Sequence, residues 1–72
     1  MNLFFITYGN NLLGCYTKIE AESYAAARKI AYEGTDKGKY AFMYEGQDEL
    51  DRQIALGYLR GGEVELQPME VV

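Results

Sequence analysis

Any chemistry in this chain would have to come from tyrosines, carboxylates and one thiol. No histidine is present, which removes the commonest general base, the commonest metal ligand and every Ser-His or Cys-His nucleophile pair. Cys15 stands alone on the inward side of an alternating segment, where a thiol acts as an inert small hydrophobe. Ser23, the only serine, sits just before an alanine-rich run, where its hydroxyl can cap a helix. Asp48, Glu49 and Asp51 lie close enough to hold a cation weakly. The first turn of a helix also attracts acids, and a calcium loop spaces its oxygens over a longer stretch. Gly57-Tyr-Leu-Arg-Gly-Gly62 lacks the lysine and the strand-to-helix setting of a phosphate loop. Tyr40, Phe42 and Tyr44 form an aromatic stripe of the kind that stacks single-stranded bases. Such platforms come with a basic groove, which this chain lacks. The stripe is therefore expected to be core beneath the first helix. The expectation is a protein that is not an enzyme, with no catalytic, metal or cofactor-binding residue and no cofactor.

The elements that would carry these residues follow from periodicity. Residues 2–8 (NLFFITY) are short and rich in aromatic and β-branched types, so they read as a first strand. Phe4, Ile6 and Tyr8 share one face, and Leu3, Phe5 and Thr7 the other. Both faces are apolar, which predicts a central strand covered on both sides or a dimer face. Residues 15–21 alternate: Cys15, Thr17, Ile19 and Ala21 inward, Tyr16, Lys18 and Glu20 outward. A Gly/Asn-rich link joins the two as an antiparallel hairpin. Residues 24–33 form a helix with Tyr24, Ala27, Ile30 and Ala31 on one face, ended by Gly34 in the left-handed conformation. A polar turn over 35–38 leads to a third strand at 39–45. Asp48 starts a second helix, with Leu50 and Ile54 one turn apart. Gly57 caps it after Leu56 in the favoured reading; the alternative runs on to Arg60 with Gly61 as cap. Residues 63–66 give a fourth strand with Val64 and Leu66 facing one way, stopped by Pro68, with Met69–Val72 as a tail. The order β-β-α-β-α-β predicts an α+β domain: a small antiparallel sheet, one main helix packed across it and a second short helix.

Composition bounds the function. The 72 residues allow one domain, residues 1–72, with a small core. A hydrophobic content of 49% argues against disorder. No apolar run approaches the roughly 18 residues of a membrane span. The N-terminus has no basic region and reads as a strand beginning at the start codon, not as a signal peptide. One thiol and no possible internal disulfide suit a reducing cytoplasm. The net charge of −4 argues against nucleic acid, and its acids are interspersed with Lys18, Arg28, Lys29, Lys37, Lys39, Arg52 and Arg60 as on an ordinary solvated surface.

Several stretches together carry a resemblance. Tyr8-Gly9 ends the first strand, Gly14-Cys-Tyr16 opens the second, and Glu20-Ala-Glu-Ser-Tyr24 leads into the helix. Tyr40-Ala-Phe-Met-Tyr44 and Val64-Glu-Leu-Gln-Pro68 follow. This pattern resembles small uncharacterised proteins of tailed bacteriophages and prophages. The segment YTKIEAESYAAARKIA is also similar to a β-α unit of small α+β anti-CRISPR proteins. The resemblance implies a phage accessory protein in the cytoplasm of the infected bacterium, binding and modulating or inhibiting a host or defence protein. It supplies no functional residues. The alternatives are a nucleic-acid-associated module using strand 40–44 and a small ligand-binding or enzymatic domain. A homodimer is a further expectation.

Partner-binding candidates are Leu12, Leu13, Tyr16, Tyr32, Asp48 and Glu49. The two leucines pose the sharpest question, because they sit in a turn-forming stretch, YGNNLLGCY. Either a leucine plugs the core, against Ile54 or Leu50, or both project as an apolar anchor for a partner.

Overall fold

The computed structural model describes residues 1–9 and 12–66. β1 (Asn2–Thr7) and β2 (Cys15–Ala21) pair antiparallel, with Phe4 opposite Ile19 and Ile6 opposite Thr17. α1 (Tyr24–Gly34) follows, then β3 (Phe42–Glu45), α2 (Gln47–Ala55) and a two-residue β4 (Gly62–Glu63). The sheet order is β3-β1-β2-β4. β3 joins β1 antiparallel, whereas β4 joins β2 parallel, so the sheet is mixed where a wholly antiparallel one was expected. The α+β architecture and the element order are as read from the sequence.

β1 is central, and its own helices cover both faces. Phe4, Ile6 and Tyr8 pack with Ile19, Ala21, Ala27 and Ala31 beneath α1. Phe5 packs on the opposite face with Leu50 of α2 and Leu59. The alternation of a strand sends neighbouring side chains to opposite faces, so one six-residue strand feeds two small cores. The two apolar faces of β1 therefore do not require a dimer, because both are covered within the chain.

Ser23 caps α1, its hydroxyl accepting from the Ala26 amide at 3.1 Å. Ala27 and Ala31 centre the buried stripe, while Tyr24 and Ile30 sit on its flanks and stay exposed. The expected four-residue face is thus only half right: alanine lets the helix approach closely, and the larger residues are lifted to the rim. Gly34 is also corrected. It lies within the helix, and the left-handed residues are Asp36, Lys37 and Gly38. Buried Thr35 closes the helix instead, its hydroxyl and amide both donating to the Ala31 carbonyl. A Cβ on Gly34 would overlap the Leu66 side chain, so the glycine is there for close packing.

α2 ends where favoured. Leu56 is its C-cap, and Gly57 follows with φ of +83°, a conformation that side chains avoid. The helix begins one residue before Asp48, after Gly46, which makes no side-chain cap bond. Its buried residues are Leu50 and Gln53, not Leu50 and Ile54; Ile54 is exposed. Gln53 can be buried because its amide donates to Glu49 Oε2 at 3.0 Å.

β3 and β4 are shorter than expected. Lys39 and Tyr40 belong to the preceding turn, their amides bonded to the Thr35 and Gly38 carbonyls. Beyond β4, the Val64 amide continues the pairing by donating to Tyr16 O at 2.8 Å, and Val64 and Leu66 both pack towards the α1 core. Pro68 and the expected tail at 69–72 lie outside the described residues.

Candidate protein-binding cleft

The aromatic stripe is the main correction. Register decides its face: Tyr44 lies opposite Phe5, and Met43 opposite Ile6. Met43 therefore faces α1, and Tyr44 faces α2, where it stacks on Phe5 at a centroid distance of 5.1 Å. Tyr40, outside the strand, packs against the α1 core. Phe42 is 64% exposed, so it is not core at all. Phe42, Tyr44, Phe5 and Tyr16 form a run of neighbouring rings across three strands.

The hairpin end resolves the leucine question by dividing the pair. The Leu12 amide donates to Gly9 O at 3.1 Å, and its side chain packs into the α1 core. Leu12 is the plug, but on the face away from Leu50 and Ile54. Leu13 is 78% exposed.

Leu13 is one wall of a cleft of about 260 Å³. Phe42 and Tyr44 of β3 form another wall, and Tyr58 and Leu59 of the turn after α2 close it. Gly57 sets up that turn: beyond it Leu59 points into the small core and Tyr58 is 64% exposed. The volume lies just below the roughly 300–1,000 Å³ of drug-sized ligand sites. It is large enough for one or two side chains. A second depression of about 570 Å³ runs along Glu63–Leu66 beside Lys18, whose ammonium lies 3.5 Å from Glu63. Its lining is more polar, and it carries no aromatic side chain.

Only Leu13 of the six candidates lines the cleft. Tyr16 is half-buried and meets Phe5 edge-to-face at 6.5 Å. Tyr32 is exposed on α1, against Gly38. Asp48 is exposed at the start of α2. Glu49 is tied into the fold: Arg52 donates to it at 2.6 and 3.3 Å, and Gln53 adds a third bond. The Arg52 guanidinium, aided by the Gln53 amide, holds the Glu49 carboxyl below its usual range. Asp51 accepts from Gln47 at 2.9 Å. Tyr58 was missed; its signal was the Gly57 stop, which releases the next residues from the helix.

Cys15 is half-buried against the α1 core. The Gly61 backbone crosses it so closely that a Cβ there would sit 2.7 Å from the sulfur. Among the described residues no cluster of three or more potential metal ligands occurs, and no helix is long and apolar enough to cross a membrane.

No protein-family model matches this chain, and no significant match is found among curated proteins or solved structures.

Proposed function

We propose that this chain is a non-catalytic protein-binding module: a phage-encoded accessory protein that binds and modulates or inhibits a bacterial host or defence protein in the cytoplasm of the infected cell. The observation that carries the binding role is the cleft, where Leu13, Phe42 and Tyr58 stand exposed around one hollow. A small domain has few apolar side chains for its core, so three exposed together call for an explanation outside it. Aromatic side chains grouped at a hollow are the usual anchors of interfaces. The phage setting rests on the resemblance of the sequence.

The test is affinity capture from bacterial lysate with wild type and with Leu13→Ser/Phe42→Ser. Both positions are exposed, so the variant keeps its fold. Wild type retains a specific protein and the variant loses it. Absence of any retained protein at every salt concentration refutes the reading.

Exposed Phe42 beside Tyr44 also supports the nucleic-acid alternative, since two rings on one sheet face make a stacking platform. That reading predicts binding of single-stranded oligonucleotides, weakened by salt and by Phe42→Ala. The net charge of −4 opposes it.

A further inference from the structure

We infer that the open edge of β3 takes an extended basic segment of the partner protein as an added strand, with one apolar side chain of that segment seated in the cleft. This rests on the protein-binding reading above and specifies how the partner is held.

β3 is the last strand on its side of the sheet. The Gly46 amide donates to Leu3 O at 2.9 Å, and the register continues in phase through Phe5–Tyr44 and Thr7–Phe42. In an antiparallel ladder, bonded and non-bonded pairs alternate. Phe42 and Tyr44 therefore spend their backbone groups on β1, and Met43 and Glu45 turn theirs outward. Natural sheets usually blunt such an edge with lysine, proline, a bulge or a covering element. Phe42-Met-Tyr-Glu45 is short and ends in one charge, but it contains neither lysine nor proline, and its four pairs run in register up to Phe42, where the Ala41 amide also reaches Thr7 O at 2.8 Å.

Strand addition draws affinity from main-chain bonds and specificity from pockets for alternate side chains. Both are present here: the cleft adjoins β3 at Phe42, its first residue. Charge identifies the occupant. At the other end of β3 stand Glu45 and, on the first turns of α2, Asp48 and Asp51, all exposed and none in an ion pair with a described side chain. A strand lying along this edge passes an apolar hollow at one end and carboxylates at the other. Its complement carries an apolar residue at one end and lysine or arginine at the other. A second copy of this chain fits less well. It brings a like net charge of −4, and pairing of one β3 with another is limited to Phe42–Glu45, because the amides of Lys39, Tyr40 and Ala41 are bonded to Thr35, Gly38 and Thr7.

The probes are an acetylated, amidated heptapeptide, Lys-Thr-Lys-Val-Thr-Phe-Thr, and its reversed sequence, titrated into ¹⁵N-labelled protein. One of the two orientations shifts the Met43 and Glu45 amides and slows their hydrogen exchange at least about tenfold, as burial in a new ladder requires. N-methylation of alternate peptide amides, in one of the two phases, weakens binding at least about tenfold while leaving the protein untouched. Exchanging the peptide lysines for glutamates does the same, and added salt narrows that difference. Glu45→Pro removes an outward amide without touching the β1 ladder and abolishes binding, its fold checked by amide dispersion.

Binding indifferent to N-methylation in both phases, or shifts confined to Leu13, Phe42 and Tyr58, overturns the strand-addition inference. So does failure of both peptides to bind. So does protection of Met43 and Glu45 that rises with protein concentration alone, since a second copy then holds the edge. Partner capture from lysate separates the two claims. Capture that survives Glu45→Pro but fails in Leu13→Ser/Phe42→Ser leaves the cleft reading standing and removes the edge. Loss of capture in both supports the two together.

Discussion

Thr17 joins three parts of the chain through one hydroxyl, and its replacement by valine should be more damaging than its size suggests. Its Oγ1 donates to the Val64 carbonyl at 2.9 Å and lies 2.6 Å from the Tyr8 hydroxyl. A carbonyl cannot donate, so the single Thr17 proton goes to Val64 and Tyr8 must donate to Thr17. Both side chains are buried, Tyr8 at 2% and Thr17 at 5% exposure. Tyr8→Phe removes a donor and leaves Thr17 its bond to Val64, costing about 0.5–1.5 kcal/mol. Thr17→Val keeps the shape but strands the Tyr8 hydroxyl in the α1 core and releases the Val64 carbonyl. An orphaned buried group costs about 1–3 kcal/mol, so the total is roughly 2–4 kcal/mol.

A chain of 72 residues has roughly 4–11 kcal/mol of stability in all, so this change is readily measured. The double variant is the decisive one. With the tyrosine hydroxyl gone, Thr17→Val strands less, and the double variant should be about 1 kcal/mol more stable than Thr17→Val alone. Urea unfolding followed by circular dichroism, at constant m-value, gives all four corners of the cycle. The melting temperature moves by about 4–8 °C for each kcal/mol in a domain this small. If the double variant falls at the sum of the singles, the two hydroxyls are not coupled; if Thr17→Val costs no more than Tyr8→Phe, the assigned direction of the hydrogen bonds is wrong.

The two hairpin leucines should separate in the same assay: Leu12→Ala costs about 1–2 kcal/mol, below the range for a fully buried leucine, and Leu13→Ser stays within about 0.5 kcal/mol of wild type. Gly61→Ala should cost about 1–3 kcal/mol, and Cys15→Ala should not rescue it, because Gly14 C and Cys15 N would still lie 2.9 and 3.0 Å from the new Cβ. The folded Glu49 carboxyl titrates below its reference value of 4.5, so its contribution to stability is present above that pH and fades as pH falls through the lowered folded value. Glu49→Gln should flatten this acid limb in urea titrations run on either side of that pH, and an unchanged limb would exclude the Arg52 pair as its source.

Local signals in the sequence transferred well to the fold. The bounds read from Cys15–Ala21 match β2 to the residue, and its alternation holds from Thr17 to Ala21, where one face is wet and the other dry; Tyr16, expected outward, is half-buried against Phe5. The Ser23 cap and the Gly57 stop are single-residue effects that need no tertiary context. The cleft was less legible, because it depends on register. Whether Phe42 faces α1, α2 or solvent is set by which β1 residue stands opposite it, and the spacing of Tyr40, Phe42 and Tyr44 is silent on that. The helix faces went astray for a related reason. Ile30 and Ile54 carry the hydrophobicity, but Ala31 and Gln53 occupy the buried positions. Close backbone approach favours the one, and a hydrogen bond from the other to Glu49 removes the cost of its burial. The odd setting of Leu13 is visible in the sequence itself; the exposure of Tyr58 follows from Gly57 only once the turn after α2 is known.

β1 has a consequence for how the molecule comes apart. Phe4, Ile6 and Tyr8 belong to one core and Phe5 to the other, yet all four are carried by the same six-residue strand and its next residue. Neither core can melt while the other keeps its wall, because losing the strand dissolves both at once. Two clusters that look separable in space are therefore one thermodynamic unit. Unfolding should be all-or-none, with calorimetric and van't Hoff enthalpies in agreement, and the amides of β1 should exchange only through global opening. The edge strand β3 can fray without that event, leaving the proposed docking edge free to adjust while the centre stays closed.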